Sequence, residues 1–276
     1  MSAPPSAGMG GAGMSGPPAG AGAPPATPGM ASSGCGKTDV PPSGSKTIDV
    51  DGTERQYIVQ VPSGYDPSKP YRLVFAWHGL GGTSMQIASN FYGLSSRSAN
   101  GAIFIAAQGL KMMPQAQFAN WSNNGDVDIK FTRKMLEWTK ENYCIDVKRV
   151  FSIGMSNGGM MSNVVGCELG DSFRAMAAMS GGGPKGYAKA PCTGQIAVWI
   201  SHGNKDNNVP FSYGQASRDY WVGANHCETA TTMPDGNCVE YQGCDDGFPV
   251  QFCEFDGGHM VPAFTGEAVW KFFERF

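Results

Sequence analysis

The chain has 276 residues, of which 41% are hydrophobic and 11% aromatic, enough for the core of one large domain and too much for a wholly unfolded chain. Twenty Lys and Arg against 23 Asp and Glu leave a formal net charge of -3, and the basic residues are dispersed, so no extended positive field points to a nucleic-acid partner. No stretch approaches the roughly 18 consecutive apolar residues that a membrane span needs, so none is expected.

In chain order, residues 1–34 are almost wholly Ala, Gly, Pro, Ser and Met. That composition buries too little apolar surface to offset the entropy of ordering, and it has neither the basic start nor the apolar centre of a secretory signal. A disordered leader or linker is expected there, of the kind that spaces a domain from a signal peptide, a lipid anchor or a binding module. The globular domain is expected over 35–276. Its first elements are Thr47–Val50 and Arg55–Val61, rich in β-branched residues on either side of Asp51-Gly52; this dipeptide favours a tight hairpin, so the two should pair antiparallel.

Short apolar runs follow at wide spacing: Leu73–Trp77, Ala102–Ala106, Arg149–Ile153, Arg174–Met179, Ile196–Ile200 and Val250–Phe255. Between them lie helix-capable segments. The clearest covers Asp126–Tyr143, where Val127, Phe131, Met135 and Trp138 recur at intervals of three and four and mark one buried face. Gly266–Phe276 reads as a closing amphipathic helix with Val269, Phe272, Phe273 and Phe276 turned to the core. Buried strands alternating with helices predict an α/β fold: a mostly parallel central sheet begun by an antiparallel N-terminal hairpin, with helices on both faces.

Eight cysteines form an even set, Cys35, Cys144, Cys167, Cys192, Cys227, Cys238, Cys244 and Cys253, and none sits in the close-spaced pairs typical of zinc sites. Disulfides are expected, and with them an oxidising, extracellular setting. Sequence does not choose among the roughly one hundred possible pairings. The expectation is that the late cluster, Cys227 to Cys253, pairs within itself and staples a loop near His259.

Gly154-Met155-Ser156-Asn157-Gly158 is a GxSxG motif placed directly after a predicted buried strand and directly before a helix-capable segment. This context fits a sharp turn that exposes a nucleophilic Ser156, with Gly154 and Gly158 supplying the room the turn needs. The Asn157 backbone N–H would then point toward charge developing on a carbonyl oxygen. His78-Gly79-Leu80-Gly81-Gly82 follows another predicted strand and can bring a second donor to the same oxygen, with Leu80 the first candidate and Gly81 the second. Its glycine pattern lacks the GxxxxGK[ST] of a phosphate cradle.

The chain has four histidines, so the base can be sought by elimination. His78 and His202 precede glycines at strand ends, His226 adjoins Cys227, and His259 follows the last predicted strand on a Gly-Gly turn. His259 is therefore the candidate base. After the penultimate strand, Asp206 is the candidate acid that would fix the imidazole tautomer. Asp256 shares a turn with His259 and is a poor orienter. The order Ser156, Asp206, His259 is the one this α/β architecture uses.

These motifs resemble carbohydrate esterases of the feruloyl esterase, acetyl xylan esterase and polyhydroxybutyrate depolymerase group in the α/β-hydrolase superfamily. The likeness runs from Cys35 to Phe276 and rests on His78–Gly82, on Tyr143-Cys144-Ile145-Asp146 leading through Arg149-Val150-Phe151 to Gly154–Gly159, on His202-Gly203 with Asp206, and on Gly257-Gly258-His259. It implies the α/β-hydrolase fold, a secreted enzyme without cofactor or metal, a polysaccharide-linked or polymeric ester substrate, and Ser156, Asp206 and His259 as triad. Feruloyl esters are the first expectation, with acetyl and hydroxyalkanoate esters as alternatives. Met155, Trp121, Trp221 and Phe264 are expected walls for an aromatic acyl group, and the chain is expected to act as a monomer. Two weaker readings remain: a polysaccharide-binding protein on a hydrolase scaffold, and a metal-dependent hydrolase using cysteines or Asp245 and Asp246.

Overall fold

A computed structural model describes residues 1, 30–111 and 118–276; residues 2–29 of the expected leader lie outside the described residues. The elements in chain order are β1 (Gly44–Val50), β2 (Thr53–Gln60), β3 (Tyr71–Trp77), α1 (Ser84–Ala88), α2 (Leu94–Arg97), β4 (Ala102–Ala107), β5 (Leu110–Lys111), β6 (Ala119–Asn120), α3 (Val127–Asn142) and β7 (Ile145–Met155). They continue with α4 (Asn157–Glu168), β8 (Ala175–Met179), β9 (Ala197–Gly203), α5 (Phe211–Ala224), β10 (Thr231–Asp235), β11 (Cys238–Tyr241), β12 (Val250–Phe255) and α6 (Thr265–Phe273).

Ten strands form one sheet in the order β1-β2-β4-β3-β7-β8-β9-β12-β11-β10. From β4 to β12 every neighbouring pair is parallel. The antiparallel additions lie at the two edges: the expected β1–β2 hairpin joined to β4, and an unexpected β10–β11 hairpin joined to β12. Along β3 the side chains alternate between two cores. Leu73, Phe75 and Trp77 meet α3, α4 and α5, while Val74 and Ala76 lie in the cluster that includes α2 and α6. Both faces are covered, which is why the central strands read as unbroken apolar runs.

The expected helix over Asp126–Tyr143 is α3, and Phe131 and Met135 are buried as its spacing required. Its inner face also carries Asp128, whose carboxylate takes Arg55 of β2 at 2.8 Å with both side chains buried, and a guanidinium lying 4.2 Å over Phe131. In α6, Val269, Phe272 and Phe273 are buried and Phe276 packs beside them.

The disulfides are Cys35–Cys144, Cys167–Cys192, Cys227–Cys244 and Cys238–Cys253. The late cluster does pair within itself. Cys238 and Cys253 are register partners across β11 and β12, so their bond ties the antiparallel flank to the strand that leads to His259. Cys35–Cys144 closes a separation of 109 residues, worth about 5 kcal/mol in the chain-entropy account, against roughly 3 kcal/mol for the shorter loops. Packing of the body begins before Cys35: the Ser32 hydroxyl donates to the Tyr143 carbonyl at 2.7 Å, and the Gly34 N–H to Lys140 at 2.8 Å.

Candidate active site

Ser156 stands at the end of β7 and caps α4 with φ 59° and ψ -123°, a backbone conformation that costs about 1–3 kcal/mol and persists only where its surroundings enforce it. Close backbone packing supplies the enforcement. A Cβ on Gly154 would lie 2.1 Å from the Gly158 carbonyl oxygen, and one on Gly158 would lie 2.2 Å from that of Trp77. The Ser156 N–H donates to the Met179 carbonyl at 2.8 Å, pinning the turn to β8.

His259 arrives after β12 and Asp206 after β9, so neighbouring parallel strands deliver both to the same edge. The Ser156 hydroxyl lies 2.8 Å from His259 Nε2, and His259 Nδ1 lies 2.7 Å from Asp206 Oδ2. With Nδ1–H donating to the carboxylate, Nε2 is left to accept from the serine hydroxyl. Burial alone would raise the Asp206 pKa, but hydrogen bonds from His259, Val209 and Asn208 outweigh it and hold the carboxyl below its usual value. Asp206 is therefore a fixed negative charge beside the imidazole. Asp256 instead pairs with Lys205 at the surface.

The Asn157 and Leu80 N–H groups have no hydrogen-bond partner among the described residues, and Leu80 is 60% exposed. Gly81 is ruled out as second donor, because its N–H is committed to the Ala119 carbonyl at 2.9 Å. The His78–Gly82 loop is held by groups that sequence reasoning did not find. His78 Nδ1–H donates to Gly79 O at 2.7 Å, while its Nε2 accepts from the Gly109 N–H at 3.0 Å. That pairing requires a neutral ring, and burial lowers the His78 pKa accordingly. The Tyr92 hydroxyl donates to the Trp77 carbonyl at 2.6 Å. No local pattern marks Tyr92, which reaches the loop through a left-handed turn at φ 59°.

A second brace holds the acid. His202 is buried, its Nε2–H donates to the Val209 carbonyl at 2.9 Å and lies 3.4 Å from Asp206 Oδ2. Burial lowers its pKa, so it stays neutral and clamps the loop that carries Asp206. Gly214 leaves room for this ring, since a Cβ there would stand 2.3 Å from His202 Nδ1.

The expected aromatic walls fare differently. Trp121 is buried and points its indole N–H at the His78 carbonyl, 2.8 Å away, while its backbone exchanges hydrogen bonds with the Asn157 side chain. It supports the donor loop from beneath. Trp221 is a core residue of α5, donating to Asn163 Oδ1 at 2.7 Å. Each indole is buried with an internal partner, so neither offers a ring face to a ligand. Phe264 is half-buried against Trp199 and Phe255. Met155 precedes the nucleophile, and its sulfur and the Ser156 Cβ both lie within 3.8 Å of the point a Gly79 Cβ would occupy.

A hydroxyl hydrogen-bonded to an imidazole, a carboxylate behind it and two backbone amides without partners among the described residues are the groups that acyl transfer needs. Residues 108–182 match the Prolyl oligopeptidase family. A probable feruloyl esterase C from Aspergillus terreus is 35% identical over 262 residues, spanning 88% of this chain and 90% of its own length. Feruloyl esterase D from Neurospora crassa is 32% identical over 271 residues, spanning 89% and 90%. Among solved structures, an acetyl xylan esterase from Aspergillus awamori aligns with a TM-score of 0.67 at 18% identity, over 84% of this chain and all of that one, a likeness of fold.

Proposed function

Because the chain belongs to the feruloyl esterase family and is a carboxylic ester hydrolase, we propose that it releases hydroxycinnamic acids, ferulic acid first among them, from plant cell-wall polysaccharide outside the cell. The observation that carries this reading is His259 bridging Ser156 and Asp206 at 2.8 and 2.7 Å. Four disulfides support the extracellular setting, since such bonds persist in oxidising compartments.

In the proposed mechanism the Ser156 hydroxyl gives its proton to His259 Nε2 as its oxygen attacks the ester carbonyl. The oxyanion takes hydrogen bonds from the Asn157 and Leu80 N–H groups, each worth roughly 3 kcal/mol of barrier. Asp206 stabilises the imidazolium. The carbon–oxygen bond to the sugar breaks, and the departing alcohol takes the proton from His259. Water then gives a proton to the same nitrogen, attacks the acyl-serine, and frees the acid with the Ser156 hydroxyl restored.

A product screen on methyl ferulate, acetylated xylan and polyhydroxybutyrate tests the substrate class. Ferulate release at the highest kcat/KM, abolished in Ser156→Ala, is the expected result. Faster release of acetate or hydroxybutyrate would overturn the substrate assignment, and undiminished turnover in Ser156→Ala would overturn the nucleophile.

A further inference from the structure

A groove of about 370 Å³ lies on the described surface, lined by Tyr187, Tyr213, Tyr220, Lys185, Ser212 and Gly183 among others, a size suited to a small ligand. One of its walls continues from β8, whose last residue, Met179, holds the Ser156 N–H. Gly181 packs on the first turn of α4, its Cβ position 2.8 Å from the Gly159 carbonyl carbon, and Gly182 faces both Tyr187 and Tyr213, each ring 3.3 Å from its own Cβ position. Three extended residues reach at most about 11 Å, so Gly182 cannot stray far from the nucleophile turn. The facing wall is α5 from Ser212 to Tyr220, a helix that starts directly after the loop carrying Asp206. The groove thus lies between the segment that follows β8 and the helix that follows the Asp206 loop.

Its chemistry is specific. Tyr213 is 47% exposed, a large ring face left open where Trp121 and Trp221 are buried. Tyr220 is fixed from behind, with its hydroxyl 2.7 Å from the sulfur of Cys192, itself bonded to Cys167. Burial raises the pKa of Tyr187 and Tyr220, so these phenols remain neutral. Flat apolar faces bearing neutral hydroxyls, with one ammonium and one Ser hydroxyl beside them, match a sugar ring, which has apolar C–H faces and hydroxyls around its edge. A ligand without polar groups would leave the Ser212 and Tyr213 hydroxyls without partners, and an anionic ligand would find Lys185 as the one cation among the lining residues.

We propose that this groove is the sugar subsite: it seats a ring of the polysaccharide that carries the ester, stacked on Tyr213. The proposal rests on the esterase reading above and adds to it where the alcohol side of the substrate sits.

The test compares kcat/KM on a feruloylated arabinoxylan oligosaccharide with that on methyl ferulate, which has no sugar. Tyr213→Ala is expected to lower the ratio about fivefold, Tyr213→Phe to keep most of it, and Met233→Ala, exposed on β10, to leave it unchanged. A ratio unaltered in Tyr213→Ala, or an equal fall on both substrates, would overturn the proposal. Calorimetry separates this proposal from the esterase reading. Unesterified arabinoxylan oligosaccharide titrated into Ser156→Ala protein should bind about fivefold more tightly than into Ser156→Ala/Tyr213→Ala protein, whatever ester the enzyme cleaves. Equal affinities, or no binding to either, would overturn the subsite even if ferulate is released.

Discussion

The two halves of the candidate site are held by different physics. On the nucleophile side, steric closeness dominates: glycine backbones pass so near one another that no Cβ fits at Gly154 or Gly158, and Ser156 is locked at φ 59°. On the acid–base side, Asp206 and His259 stand on loops: close packing fixes only where the two loops cross, at Gly203 against Gly257, and the Asp206 carboxylate itself is held by hydrogen bonds from the Asn208 and Val209 N–H groups beside the His202 clamp. A steric device fails all at once, whereas a hydrogen-bonded one can be loosened in steps and by pH.

The largest expected effect separates chemistry from folding. Asp206→Asn should lower kcat by about 10⁴-fold and leave the far-UV circular dichroism spectrum intact; a fall of less than tenfold would contradict its place behind His259. Gly154→Ala strikes the other half, where the added methyl meets the Gly158 carbonyl, and should destabilise the fold by more than about 3 kcal/mol as read by denaturant unfolding. A variant of unchanged stability and activity would mean that the elbow has more room than its geometry states.

Much of the nucleophile side was legible in the sequence, because steric demands are written in residue types. GxSxG after an apolar run needs no distant partner to be recognised, and the parallel strands announced themselves as apolar runs covered on both faces. The candidate acid and base came from chain order and elimination, and the fold brings both side chains to Ser156. The braces were not. Tyr92 and the Asn157 side chain act through backbone 15 and 36 residues away in sequence; His202 reaches backbone only seven residues on, but nothing local distinguishes a clamping histidine from a spare one. The aromatic walls misled for a related reason: composition offers Trp121 and Trp221 as large flat surfaces, but each indole N–H found an internal acceptor and the rings turned inward. The β10–β11 hairpin escaped notice because most of its residues are exposed or half-buried and carry no apolar run.

Smaller effects sharpen the comparison. Replacing Cys238 and Cys253 together by Ala should cost about 3 kcal/mol, lowering Tm while kcat at low temperature is retained; this bond restrains β12, the strand that leads to the base. Asn157→Ala removes both side-chain bonds to the Trp121 backbone and should lower kcat/KM about tenfold, at a net cost near 1 kcal/mol per hydrogen bond. An equal loss of stability without loss of activity would make the contact purely structural.

The smallest effect is the response to acid. Burial lowers the His202 and His78 pKa values below 6.5, so the unfolded chain binds protons more readily, and stability falls as pH drops below about 6.5 toward the folded values. Asp206, held below 3.8, stabilises the fold above that value, and its contribution is lost as pH falls through the folded value. Thermal unfolding across pH 7 to 4 should therefore lose stability first through the histidines. His202→Gln should reduce the slope of Tm against pH in the upper part of this range; an unchanged slope would remove His202 as a titrating clamp.

The proposed chemistry turns on Ser156 being the residue that His259 activates. Treating the protein with a fluorophosphonate and mapping the adduct by peptide mass spectrometry tests it directly. The account requires one adduct, on Ser156, formed in step with loss of activity and slowed at least about a hundredfold in His259→Ala. An adduct on another residue, or full activity after complete labelling of Ser156, would contradict it.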